Sequence, residues 1–69
     1  MLVELGGQRV IGIEIKAAAA PTAADAKHLR WLSKELGDRF LVGVVLHTGP
    51  RIYELGDGII ATPISALWG

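Results

Sequence analysis

Phe40–Leu46 reads FLVGVVL, apolar at nearly every position. Such a run fits a central strand covered on both faces better than an edge strand, which would alternate. Before it, Pro21–Leu36 carries Ala26, Leu29, Leu32 and Leu36 at three- and four-residue spacing, the core stripe of an amphipathic helix. Thr22 and Asp25 fit a capping box with a shorter acid than usual, and Gly37 stops the helix as an αL cap. Lys27, Arg30 and Lys34 fall outside the stripe and face water. Upstream, Arg9–Lys16 is a β-rich run in which Ile11, Ile13 and Ile15 alternate with smaller or polar residues. Its isoleucine face is expected to be the buried one. A strand, a helix of this length and another strand form a right-handed crossover, so Arg9–Lys16 and Phe40–Leu46 are expected to run parallel.

Hairpins flank this unit. Leu2–Leu5 approaches Arg9–Lys16 across Gly6-Gly7-Gln8, and Arg51–Leu55 approaches Ile59–Thr62 across Gly56-Asp57-Gly58. Thr48-Gly49-Pro50 is a turn, and Pro63–Trp68 adds a short helical turn. The pattern predicts an α/β fold with a mixed sheet of about five strands and one main helix, in the order hairpin, helix, strand, hairpin. No repeat or linker interrupts it.

The chain has 69 residues, which is room for one small domain. It has no cysteine, so disulfides cannot staple it. Its residues are nevertheless 51% hydrophobic, with a mean hydropathy of +0.41. Surplus apolar surface on a small unstapled domain implies a partner: a second copy, another chain or a missing domain. Seven basic residues balance seven acidic ones, so net charge gives no support to nucleic-acid binding. The start MLVELGGQRV has no basic leader, and no run of about 20 apolar residues offers a membrane span. The expected compartment is the cytoplasm.

The stretch Gly12–Ala20, GIEIKAAAA, ends an apolar strand with two opposite charges on one face. In a strand, Glu14 and Lys16 point the same way and lie about 6–7 Å apart. They can be a solvated strand end, or half of a metal-dependent nuclease site. In such a site carboxylates hold Mg²⁺, which activates water and neutralises charge on phosphorus, while a lysine orients or deprotonates the water. Glu14 would be a ligand, the Ile15 carbonyl could add a neutral oxygen, and Lys16 would be the catalytic cation. A second acid is required, and Glu4 is the upstream candidate. A two-residue turn puts Glu4 on the isoleucine face, away from Glu14. A three-residue loop puts it on the face of Glu14 but about 13 Å along the strand. In that second register, the position opposite Glu14 is the one immediately before Met1.

The stretches GIEIKAAA, DAKHLRWL, LGDRFLVGVVLHTG and PISALW together resemble the C-terminal domain of a large family of bacterial and archaeal AAA+-type ATPases. That domain is a compact relative of the PD-(D/E)XK, or restriction-endonuclease-like, nuclease fold, long catalogued as of unknown function. The resemblance covers nearly the whole chain and implies a truncated PD-(D/E)XK core. It implies roles of metal ligand for Glu14 and catalytic lysine for Lys16, with Mg²⁺ as the metal. In that family an Asp stands four residues before the acid matching Glu4, which is again the position before Met1. The phosphate-binding pattern GxxxxGK[ST] does not occur here. The chain is therefore expected to be a fragment or remnant of a larger ATPase, catalytically inactive alone because the site is incomplete.

Two alternatives accompany that expectation. One is an assembly module that self-associates or docks to an ATPase domain through exposed edge strands. The other is a Mg²⁺-dependent nuclease completed by another chain that supplies the acid. Of the remaining chemistry-bearing residues, His28 reads as a partly exposed helix residue. His47, at a strand end beside a Thr-Gly turn, reads as a turn or capping group. Trp31 and Trp68 read as packing or subunit-interface residues rather than base-stacking platforms. Ala17–Ala20 lets the chain pass closely over the strand end.

Overall fold

The computed structural model describes residues 1–56 and 58–67. Along the chain run β1 (Leu2–Glu4), β2 (Val10–Ile15), α1 (Lys27–Leu36), β3 (Phe40–His47), β4 (Tyr53–Gly56) and β5 (Ile59–Pro63). Short 3-10 turns occupy Gly6–Gln8, Ala23–Ala26, Gly37–Arg39 and Ile64–Leu67. Asp57, expected in the last hairpin turn, and Trp68 lie outside the described residues.

The five strands form one mixed sheet in the order β1-β2-β3-β5-β4. β2, β3 and β5 run parallel to one another, while β1 and β4 pair antiparallel with β2 and β5 as the edges. The expected mixed α/β sheet with one helix is found, with β3 at its centre. The first hairpin takes the three-residue register, pairing Glu4 with Val10 and Leu2 with Gly12. Gly7 and Gln8 both adopt positive φ there, at 74° and 66°. Glycine takes that conformation freely, and the Arg39 Nε–H donates to the Gln8 carbonyl at 2.9 Å, tethering the less tolerant residue.

The helix starts more tightly than the periodicity suggests. Ala23–Ala26 is a 3-10 turn, and α-helical geometry begins only at Lys27. The Thr22 N–H donates to Asp25 Oδ2 at 2.7 Å, as a capping box with an Asp requires. Gly37 ends the helix at φ 56° and ψ −129°, outside the αL region, so the expected αL cap is replaced by a bend that suits only glycine.

Ala26, Leu29, Val45 and Ile59 make the core, with Leu32, Phe40 and Leu55 packed around them. This core corrects the expected strand faces. The helix lies on the Val10, Gly12 and Glu14 side of β2, not on the isoleucine side. Ile11 and Ile13 are only half-buried, and Ile15 is 64% exposed. The reason is steric. Gly12 and Gly43 are register partners and leave a floor without side chains, onto which Leu29 and Phe40 descend. A Cβ on Gly12 would stand 2.8 Å from Leu29 Cδ2 and 3.0 Å from Phe40 Cε1. The bulky isoleucines are thus left on the other side.

The helix covers β3 on one face; on the other, Val42 and Val44 are half-buried and only Leu46 is buried. By register Val3, Ile11, Ile13, Ile15, Val42, Val44, Leu46, Ile60 and Thr62 share the face opposite α1, the helix-free face. The smallest dimension of the fold, 16 Å, fits one sheet and one helix layer. No described helix is long and apolar enough to cross a membrane.

Candidate functional site

Glu14 and Lys16 sit where β2 ends. Glu14 pairs with Val45 and is half-buried on the helix side. Lys16 leaves the strand, but its N–H still donates to the Leu46 carbonyl at 2.8 Å, which prolongs the ladder and fixes the exit of the chain. The Thr48 N–H then donates to the Ala18 carbonyl at 3.0 Å, and Gly49 packs directly against the backbone of Ala19. The alanine run is thereby laced to the end of β3, as its small side chains allow.

This lacing brings the start of the helix over the strand end. Glu14 and Lys16 line an open hollow of about 420 Å³ together with Ala24, Asp25, Lys27, His28 and Trp31. Ile15 does not line it, because its side chain lies on the opposite face of the sheet. His28 and Trp31 stack at one side, with ring centroids 6.1 Å apart and planes 21° from parallel. Trp31 is 56% exposed, so it is not a core residue. The helical partners of the hollow were not singled out as a site from sequence. Ala24, His28 and Trp31 recur at four- and three-residue spacing beside the core stripe, and that spacing is the signal that places them on one face.

Chemically the hollow offers two carboxylates, two ammonium groups, an imidazole and an indole face. One oxygen of Asp25 is already committed to the Thr22 N–H. Among the described residues no three His, Asp or Glu side chains gather closely enough to hold a metal ion. Glu4 cannot join Glu14. It pairs with Val10, four residues along β2, which places it about 13 Å away on the same face. Glu14 and Asp25 are the carboxylates that the hollow itself offers.

His47 lies at the same end of the sheet, on the helix side of β3. It is only 1% exposed. Its Nδ1 accepts a hydrogen bond from the Gly49 N–H at 3.0 Å, which assigns the proton of the neutral ring to Nε2. Nε2 has no partner among the described residues. The ring lies 5.7 Å from that of Tyr53, whose hydroxyl donates to the Pro21 carbonyl at 2.6 Å. His47 thus holds the turn after β3, and Tyr53 holds the approach to the helix. Both fix the walls that carry the Glu14–Lys16 end without reaching into the hollow.

These features define a small single-helix α/β domain with a mixed sheet and a polar hollow at the end of its second strand. A family model described as a domain of unknown function, DUF4143, matches residues 1–67, and the chain belongs to that family. No curated protein and no solved structure matches it.

Proposed function

We propose that this chain is an interaction module built on a nuclease-like sheet, and that it does not cut nucleic acid by itself. The observation that carries the reading is the one-sided sheet. The core cluster lies under the single helix, while the other face carries Ile11, Ile13, Ile15, Val42, Val44 and Ile60, with Ile15 and Ile60 exposed. A surface of that kind on a small domain serves association. The resemblance of GIEIKAAA, DAKHLRWL, LGDRFLVGVVLHTG and PISALW to the last domain of AAA+-type ATPases supports such an ATPase as a partner class and the nuclease-like kinship of the sheet. Glu14 with Lys16 is then half of a site, with Glu4 out of reach and one oxygen of Asp25 already bound to the Thr22 N–H.

One observation favours a second reading, a nuclease completed by another chain: Glu14 and Lys16 do share one open hollow. The partner would have to bring the acid that Glu4 cannot supply.

Two measurements test the proposal. Incubated with DNA or RNA and Mg²⁺ or Mn²⁺, the chain is expected to leave the substrate intact. Robust cutting that is lost in Glu14→Ala overturns the non-cutting part. The chain is expected either to self-associate in light scattering or to bind an apolar fluorescent dye. A monomer that binds no dye overturns the interaction part.

A further inference from the structure

The hollow over the end of β2 presents charges of both signs, Glu14 and Asp25 with Lys16 and Lys27, beside the rings of His28 and Trp31. Three observations narrow what such a hollow would hold.

The first is which charges are free. Asp25 is committed to the helix start, where its Oδ2 accepts from the Thr22 N–H at 2.7 Å and from the Thr22 hydroxyl at 3.4 Å. Glu14 and Lys16 are both half-buried, yet among the described residues neither side chain makes a hydrogen bond. A partly desolvated carboxylate and a partly desolvated ammonium are each unfavourable until something pairs them. They stand about 6–7 Å apart along one strand face, so a ligand with one group of each sign can answer both.

The second is the ring. Trp31 is 56% exposed, and His28 stacks beside it with ring centroids 6.1 Å apart. An indole that open at the side of a hollow gains when another flat group covers it.

The third is size and rigidity. At about 420 Å³ the hollow falls near the lower end of small-molecule sites, which span about 300–1,000 Å³. One small molecule suits it better than a polyanion, for which seven basic and seven acidic residues leave no basic excess. Its surroundings are tied in place by the bonds from the Lys16 N–H to the Leu46 carbonyl, the Thr48 N–H to the Ala18 carbonyl and the Tyr53 hydroxyl to the Pro21 carbonyl. A site already in place avoids the ordering cost that a flexible one meets on binding.

We propose that the hollow binds a small aromatic zwitterion, of the chemical class of the aromatic amino acids. The ligand's carboxylate meets the Lys16 ammonium, its own ammonium meets the Glu14 carboxylate, and its ring lies against Trp31. Lys27, at the first position of α1, adds a second cation for the carboxylate. Binding of this kind needs no metal and is independent of association through the helix-free face.

The test is a titration of the full chain with phenylalanine in the presence of EDTA. The readout is the indole N–H resonance of Trp31 in heteronuclear NMR, assigned against Trp68 with Trp31→Phe. Three part-ligands accompany it: phenylpropionate lacks the ammonium, phenethylamine lacks the carboxylate, and alanine lacks the ring. Phenylalanine is expected to give a saturable shift, and each part-ligand to bind about tenfold more weakly or worse. Glu14→Gln is expected to weaken phenylalanine about tenfold and leave phenylpropionate unchanged, while Lys16→Ala weakens phenylalanine and leaves phenethylamine unchanged. The wild-type series needs no variant, so a misfolded substitution leaves the test intact. No saturable shift with any of the four compounds overturns the site. Phenylpropionate binding as tightly as phenylalanine overturns the zwitterion and the role of Glu14, and phenethylamine doing so overturns the role of Lys16.

Discussion

Gly12→Ala isolates the feature that decides which face of the sheet is the core. The added methyl would lie 2.8 Å from Leu29 Cδ2 and within 3.2 Å of the Phe40 ring, inside the roughly 3.5–4.0 Å at which carbon atoms sit comfortably. Leu29 is 1% exposed, so it has no open rotamer to take. Overpacking of this kind costs about 1–3 kcal/mol, against a gain of about 0.4–1 kcal/mol from a less flexible unfolded chain. The net expectation is about 1–2 kcal/mol of destabilisation. In a domain of this size that lowers Tm by roughly 4–16 °C. The comparison variant is Ile15→Ala. At 64% exposure, Ile15 has little burial to lose in the monomer, so it should cost under about 1 kcal/mol. Thermal unfolding by circular dichroism at a dilute, matched concentration reads both and keeps association out of the comparison. If the isoleucine face were the core, the order would reverse, and Ile15→Ala would cost about 2–5 kcal/mol. A neutral or stabilised Gly12→Ala beside a strongly destabilised Ile15→Ala would refute the reasoning.

Two further substitutions probe the lacing at the strand ends. In Gly49→Ala the new Cβ overlaps the Ala19 carbonyl oxygen, and backbone cannot step aside as a side chain can. A loss of at least about 2 kcal/mol in urea unfolding is expected. His47→Ala empties a buried volume and frees the Gly49 N–H. It should cost about 2–5 kcal/mol by the same assay, and a cost under about 1 kcal/mol would show that the turn holds without the imidazole.

Much of the architecture is written in local patterns. The apolar run at 40–46, the leucine stripe of the helix and the crossover length suffice for a parallel β2–β3 pair and one helix above it. The faces were not legible, for a definite reason. Alternation marks the larger side chains as inward, but here the inward positions are Gly12 and Gly43, and their partners Leu29 and Phe40 lie far off in sequence. A glycine that is buried because something else fills its place looks, in one sequence, like a glycine in open space. The hairpin register was legible as a choice between two loops. The positive φ of Gln8, held by Arg39 from across the fold, selects between them.

For the candidate site, the Glu14–Lys16 alternation was readable because strand period two is local. The contribution of Asp25, Lys27, His28 and Trp31 was not, since it depends on how residues 17–20 carry the chain over the strand end. His47 was expected as a turn residue, and its Nδ1 contact with the Gly49 N–H gives it that role. Its near-complete burial depends on the packing of Tyr53 and could not be read from the strand pattern alone.

The central claim is that the helix-free face is the surface through which this domain associates. The sequence contains no cysteine, so a thiol introduced by Ile60→Cys reports on that face alone. The measurement is the rate at which a soluble maleimide modifies that thiol as protein concentration rises. The account predicts fast modification in dilute solution and progressive protection as copies associate, or on adding the chain that covers the face in its place. A rate that stays fast at every concentration and with every candidate partner would contradict it.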